Sequence, residues 1–479
     1  MVSVQSPNDN QAALERSALF VATLTSFMGP FMLSSVNVAL PDLQADLGLN
    51  AVQLSWVATS YLLAMATCLL PAGKVADMYG RKKVFIVGLL VYTLGATSAA
   101  FAGSATSLIL FRVFQGLGAA MFVTTGMAIL TSIFPPQKRG RAIGIYVAAV
   151  YIGLSAGPFF GGILTQHFGW RSIFLLMLPL GLGSVAVTLF FLRGEWADVI
   201  RQRFDFIGSM LYATALTLLI YGASILPSVG SWILIASGLL GLLFFFRRQQ
   251  RIAHPLFEVS LFTANRPFAY SSLAALLNYS ATFAVTFLMS LYLQYIKGMS
   301  PQAAGSILMV QPVMMAVFSP IAGRLSDSIE PRLLATGGMG ITVVGMLVFT
   351  QLQPETSLVI IAANLLMLGF GFALFSSPNM SAIMGAVTKK QYGIASGVAA
   401  TMRLMGQMVS MAIATVALAL LVGRQAIEPH VYGPFLLSIK VVFTFSALLC
   451  TVGIYFSLFR GRLLPPENAS RSDTADIGN

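Results

Sequence analysis

The sequence predicts an all-α membrane protein of fourteen spans, arranged as two six-helix bundles with two further helices between them. Three observations carry this expectation. Apolar residues make up 57% of the 479 positions, with 35 Phe and 23 Met against 3 His, a balance outside the range of water-soluble domains. Fourteen apolar runs each reach the roughly 20 residues that a bilayer core about 30 Å thick requires of a helix. Short glycine-bearing stretches of the first half also return in the second half about 250 positions later.

Residues 1–17 are polar, hold Asp9 and Glu15, and lack the basic start and short apolar core of a cleaved leader. The first apolar run is therefore expected to remain as a helix. In the first bundle, residues 18–200, the runs centre near Met28, Ala64, Tyr92, Phe122, Ile152 and Met177. The linking pair, residues 201–260, centres near Ala215 and Leu239. The second bundle, residues 261–465, has centres near Phe283, Val313, Val343, Leu368, Gln407 and Ala447, and residues 466–479 form a polar tail.

The cations set the orientation. With the N-terminus in the cytoplasm, nearly every loop cation falls on the inner side, beginning with Arg16, Lys74, Arg81, Lys82 and Lys83 and ending with Arg460, Arg462 and Arg471. The outer side receives only Arg171, Lys297 and Arg424, while Arg112, Arg403 and Lys440 lie within spans. This asymmetry requires an even number of helices and places both termini inside. The net charge of +12 is thus matched to the anionic inner lipid surface, and no nucleic-acid partner is expected. Cys68 and Cys450 both lie in apolar runs, without a disulfide framework. The sequence contains no nucleotide loop, metal-ligand cluster or nucleophile triad, so neither an enzyme nor a bound cofactor or metal is expected.

GKVAD, Gly73 to Asp77, returns as GRLSD, Gly323 to Asp327, and Gly140, Gly144 and Gly153 recur at Gly393, Gly397 and Gly406. Both displacements join helices of the same orientation, which implies two parallel halves. Halves so related enclose a cavity at their interface, and rocking about it gives alternating access. A non-transporting scaffold or sensor is disfavoured, because the soluble tail is too short for a signalling domain.

GKVADMYGRKK, Gly73 to Lys83, RVFQGLGAA, Arg112 to Ala120, and GLSAGPFFGG, Gly153 to Gly162, resemble the signatures of the major facilitator superfamily in its second loop, fourth helix and fifth helix. NVALPDL, Asn37 to Leu43, and FGWRSIFLLMLPLG, Phe168 to Gly181, are similar to its fourteen-helix drug:proton antiporter branch. The resemblance covers the chain to about residue 462. It implies the major facilitator fold and a multi-pass exporter of hydrophobic or amphipathic compounds in a bacterial plasma or inner membrane. Protons and membrane lipids are the expected partners, and the chain is expected to act as a monomer.

Asp77 ends the second span, where its charge opposes the helix dipole and needs Arg81 or a neighbouring helix N-terminus as partner. With Gly73, Gly80, Arg81 and the repeat residue Asp327, it forms a candidate conformational latch, a role that the resemblance also implies. Gly73 would permit close helix approach and Gly80 a tight turn. In the fifth span, Gly153, Gly157 and Gly161 share one face, while Pro158 removes a backbone donor and Gly162 follows. That bent, smooth surface suits a helix that rocks against its neighbour.

Arg112 lies roughly 9 Å into the fourth span, where a guanidinium normally faces a cavity or a partner. Met32 stands where the antiporter branch carries a carboxylate, and no Asp or Glu falls at the middle of a span. Asp42, at the outer end of the first span, is therefore paired with Arg112 as the candidate proton-coupling group. Arg403, roughly 16 Å into its span, gives weight to anionic, neutral or amphipathic substrates. Met32, Gln115, Gln294, Gln311, Asn364, Asn379 and Gln407 complete the candidate cavity. Proton-coupled export is the leading expectation; a specific or uncoupled transporter of an anionic or lipid-like solute is the alternative.

Overall fold

A computed structural model describes residues 7–192, 194–196, 204–252, 255–388 and 391–461. The tail assigned to 466–479, with Arg471, and Arg462 lie outside them. Among the described residues, fourteen helices are long and apolar enough to cross a membrane: α1 (Leu14–Val38), α2 (Ala51–Tyr79), α3 (Arg81–Ala100), α4 (Ala105–Ile133), α5 (Lys138–Phe168), α6 (Arg171–Phe191), α7 (Phe206–Ser224), α8 (Val229–Gln249), α9 (Arg266–Ile296), α10 (Pro301–Ser328), α11 (Pro331–Phe349), α12 (Leu358–Gly385), α13 (Ile394–Leu421) and α14 (Pro429–Phe459). Each contains the centre that hydropathy assigned to it.

Local chemistry sets the ends. Asn50 and Gln53 form a capping box at the start of α2, and Ser104 and Ser107 do the same for α4, satisfying the free amides of a helix N-terminus. Gly80 ends α2 at φ 113°, and an added Cβ there would stand 2.5 Å from Glu195 Cδ.

The six helices of each half pack in the same pattern. In the first half α1 packs on α5, α2 on α4, and α3 on α4 and α6. In the second, α9 packs on α13, α10 on α12, and α11 on α12 and α14, each partner displaced by eight helices. The close crossings correspond as well. A Cβ on Gly118 of α4 would lie 2.3 Å from Tyr92 N of α3, and one on Gly338 of α11 would lie 2.5 Å from Gly371 O of α12. Small residues allow this backbone approach where hydrophobic exclusion does not draw helices together. The pair α7 and α8 packs chiefly on itself, with α7 also touching α2 and α13.

The halves meet along α2 with α13 and α5 with α10. Their hydrogen bonds lie at mid-depth or at the end away from the loop between α2 and α3. That loop, with Arg81, Lys82 and Lys83, marks the basic end of the molecule. Near the basic end of the interface, a Cβ on Gly140 or Gly144 of α5, or on Gly397 of α13, would meet nothing within 4 Å. Among the described residues, the hydrogen bonds that join the halves therefore gather at mid-depth and at the opposite end, with none at the basic end.

Candidate translocation site at the interface of the halves

The closed end is built on a break in the first helix. Helix α1 stops at Val38 because Pro41 has no N–H to return to Asn37 O, and Ala39 N turns back instead to Val36 O at 3.1 Å. The two freed carbonyls are taken up by α9: Ser290 Oγ donates to Asn37 O at 2.7 Å and Gln294 Nε2 to Val38 O at 2.9 Å. Gln294 belongs to a π-helical turn, Tyr292–Ile296, of the kind that re-aims side chains at functional sites. Thr415 Oγ1 donates to Ser55 Oγ at 2.9 Å, Ala51 N donates to Gln425 O at 2.9 Å, and Gln44 bonds Ile427 in both directions.

Across α5 and α10 the closure is steric. A Cβ on Gly305 would lie 2.0 Å from Pro158 O, and one on Gly162 would lie 2.6 Å from Pro301 O. The four-residue glycine ridge has a different partner from the one its sequence suggested. Gly153, Gly157 and Gly161 face Phe27, Ser34 and Ser35 of α1 in the same half. The ridge therefore secures α5 to α1, while Pro158 and Gly162 meet the opposite half.

At mid-depth, Arg403 of α13 is half-buried and faces Tyr146 of α5 and Tyr279 of α9. Tyr151 Oη of α5 and Ser376 Oγ of α12 stand 3.3 Å apart, and both neighbour Tyr279. Gln407 lies one turn beyond Arg403, half-buried, and Gln311 is buried on α10. A guanidinium among phenols and hydroxyls from both halves can bind an anionic or hydrogen-bonding group, whereas a cation there would meet like charge.

The remaining candidates divide. Gln294 belongs to the closure just described. Asn364 Nδ2 donates to Gly345 O at 2.9 Å within the second half. Asn379 is also structural: its Oδ1 accepts from Arg460 Nη1 at 2.8 Å and its Nδ2 donates to Ser271 O at 3.0 Å. Arg460, read from sequence as a loop cation, is 1% exposed, because these groups draw it into the second half. Met32 is fully buried.

Arg112 and Asp42 are not brought together. Arg112 is fully buried, with Nε donating to Val57 O at 3.0 Å, Nη1 to Gln115 Oε1 at 2.6 Å, and its guanidinium 4.5 Å from the Tyr61 ring centroid. It neither reaches the outer interface nor pairs with an acid among the described residues. Asp42 lies instead in the short helix Leu40–Leu47, near Tyr295, and partial burial raises its carboxyl above the usual range.

At the basic end, Asp77 pairs with Arg81 at 2.9 Å, and Arg81 also donates to Ser132 Oγ at 2.9 Å. The loop is tied down within its own half, with Arg81 N donating to Trp196 O, Lys82 N to Glu195 Oε1, and Lys82 Nζ to Leu192 O. A Cβ on Gly73 would meet nothing within 4 Å, so the close approach expected there is absent in this arrangement. Asp327, in the second copy, is exposed; Pro331 stands at the position four residues on, where the first copy has Arg81. Sequence reasoning missed Asn37, Ser290, Tyr146, Tyr151, Tyr279 and Ser376. Pro41 was the available signal for the first of these, since a proline just past a helix leaves a carbonyl without its donor.

The sequence profile described as Major Facilitator Superfamily matches residues 19–264 and 271–476. The riboflavin transporter RibZ of Clostridioides difficile (strain 630) is 31% identical over 80% of this chain and 84% of its own. Multidrug resistance protein Stp of Mycobacterium tuberculosis (strain CDC 1551 / Oshkosh) is 31% identical over 82% of this chain and 74% of its own. Among solved structures, a bacterial homolog of the human lysosomal transporter Spinster, inward-facing and unoccupied, superposes with a TM-score of 0.67 at 16% identity, covering 95% of this chain and 98% of its own. By its profile, relatives and fold, the chain belongs to the Major Facilitator Superfamily: it is a multi-pass membrane transporter and not an enzyme.

Proposed function

We propose that this transporter is a secondary exporter of hydrophobic or amphipathic compounds, bacterial in origin and resident in the cytoplasmic membrane, and that it works by alternating access. The observation that carries the reading is the interface itself. Hydrogen bonds and close glycine contacts join its halves at the end away from the basic loop, and Arg403 stands between them at mid-depth. With the basic end assigned to the cytoplasm, this arrangement is the inward-open state, ready to load substrate from inside. The relationship to Stp, a multidrug resistance protein, supports the direction of transport. We assign the domain limits as 18–200, 201–260 and 261–465, of which 200/201 and 465 lie outside the described residues, and take the transporter to act as a monomer; the packing of α1–α6 and of α9–α14 supports the two bundles.

Proton coupling is assigned to Asp42, acting without Arg112 as its direct partner. In the outer-closed state its carboxyl is partly desolvated and binds a proton more readily; outward opening would hydrate it and favour release. The test follows internal pH in sealed proteoliposomes as cationic, neutral and anionic compounds are added in turn. Substrate-dependent proton movement that disappears in Asp42→Asn supports the antiporter, whereas flux of the same compounds without proton movement rejects it. A second reading, a specific transporter of an anionic or lipid-like solute, is favoured by Arg403 and by Met32 at the position of the usual acid. RibZ, a riboflavin transporter, is a relative with a single named solute. Arg403→Gln should abolish flux of anions while sparing neutral compounds.

A further inference from the structure

Away from the central interface, the molecule holds a cavity of about 300 Å³ where α7 and α8 lean on the seam between α2 and α13. Leu70 of α2, Phe245 of α8, Leu276 of α9 and Met405 of α13 line it, and Phe257 and Phe262 close it from the segment that joins α8 to α9. Phe262 sits in the short helix Val259–Ala264, and Leu276 lies ten residues into α9. The cavity thus runs from the basic-end surface to a depth of roughly 15 Å. Met402 and Met405 line it, while Arg403, which does not line it, faces Tyr146 and Tyr279.

An apolar space of this size repels water and accepts an apolar guest. Its surroundings specify which. Arg247 follows the lining residue Phe246 directly, Arg251 lies one turn on, and Arg266 lies four residues after Phe262, all three exposed. Arg248 is held by Asp205 at 2.8 Å, and Arg266 stacks on Tyr270. Arg247 and Arg251 form no ion pair among the described residues. The acid of this segment, Glu258, accepts from Ser260 Oγ at 3.3 Å. A slot for hydrocarbon with free guanidinium groups at its surface end matches an amphiphile with an anionic head.

We propose that this cavity is a binding site for one acyl chain of an anionic phospholipid from the leaflet at the basic end, with the phosphate held by Arg247 and Arg251. The bound chain fills the space between the linker pair and the α2–α13 seam, which gives α7 and α8 a role beyond covalent connection. Because this seam must shift when the halves rock, lipid occupancy would couple membrane composition to transport.

Native mass spectrometry of the full-length protein, with phosphatidylglycerol or phosphatidylcholine of identical chains added, tests the assignment. One phosphatidylglycerol should be retained at least tenfold more tightly than phosphatidylcholine. Arg247→Gln with Arg251→Gln should remove that preference, and Leu276→Trp, which fills the slot, should lower retention of both lipids. Met405→Phe provides a second filling variant if Leu276→Trp does not fold. Equal retention of the two lipids, or undiminished retention in a folded filling variant, would overturn the proposal. Displacement of the lipid by an exported compound would also overturn it and make the cavity part of the substrate route.

Discussion

The most quantitative consequence of the structure concerns the closure that Pro41 makes possible. Ser290→Ala with Gln294→Ala removes the donors at 2.7 and 2.9 Å from the carbonyls of Asn37 and Val38. A hydrogen bond contributes about 1 kcal/mol net, so losing both should shift the outer-closed equilibrium by about 2 kcal/mol, or roughly 30-fold toward opening. Opening also lets water reach the two carbonyls, whereas remaining closed leaves them buried and unpaired, which reinforces the direction. Ser55, on α2 against Thr415 of α13, lies at the same closed end and is fully buried, so Ser55→Cys in a background lacking Cys68 and Cys450 reports on its opening. Its rate of modification by a membrane-impermeant thiol reagent added outside should rise roughly 30-fold in the double variant, in the limit where opening equilibrates before labelling. An unchanged rate would refute the reasoning, because it would mean that these bonds do not hold the outer end shut.

Other consequences can be checked independently. The Asp77–Arg81 pair is partly exposed and worth at most about 1 kcal/mol. Asp77→Asn should therefore leave thermal unfolding nearly unchanged while abolishing transport; normal flux would reduce the residue to an orientation signal. In Gly305→Ala the new Cβ would stand 2.0 Å from Pro158 O, so the outer-closed state should lose about 1–3 kcal/mol, read as greater thiol access at Ser55→Cys. Asp42 has a raised pKa in this state, so its desolvation penalty is present above that pKa and lifts as pH falls through it. Acidification should favour the outer-closed state, and Asp42→Asn should flatten that dependence in the same labelling assay.

The fold was legible because hydropathy is local. Each of the fourteen expected span centres lies within a membrane helix, and the glycine repeat anticipated two halves that pack alike. Partnerships between distant helices were less accessible. Arg112 was matched to Asp42 by depth alone, but the direction of its side chain leads to Val57 O, Gln115 and Tyr61. The charge of Arg460 suggested solvent, yet Asn379 and Ser271 offer it buried acceptors. The ridge of Gly153, Gly157 and Gly161 lies against α1, and spacing alone cannot say whether the neighbour belongs to the same half. Arg403 was recognisable by its depth, while its phenolic surroundings depend on α5 and α9 meeting α13.

Alternating access is the central claim, and distances between spin labels measure it most directly. One pair, at Lys83 and Arg324, joins exposed positions of the two halves at the basic end; the other, at Gly103 and Arg424, joins exposed positions at the opposite end. In lipid nanodiscs the account predicts two populations that exchange reciprocally when substrate or pH is varied, the basic-end distance shortening as the opposite-end distance lengthens. Fixed distances at both ends under every condition, or two distances that change in the same sense, would contradict it.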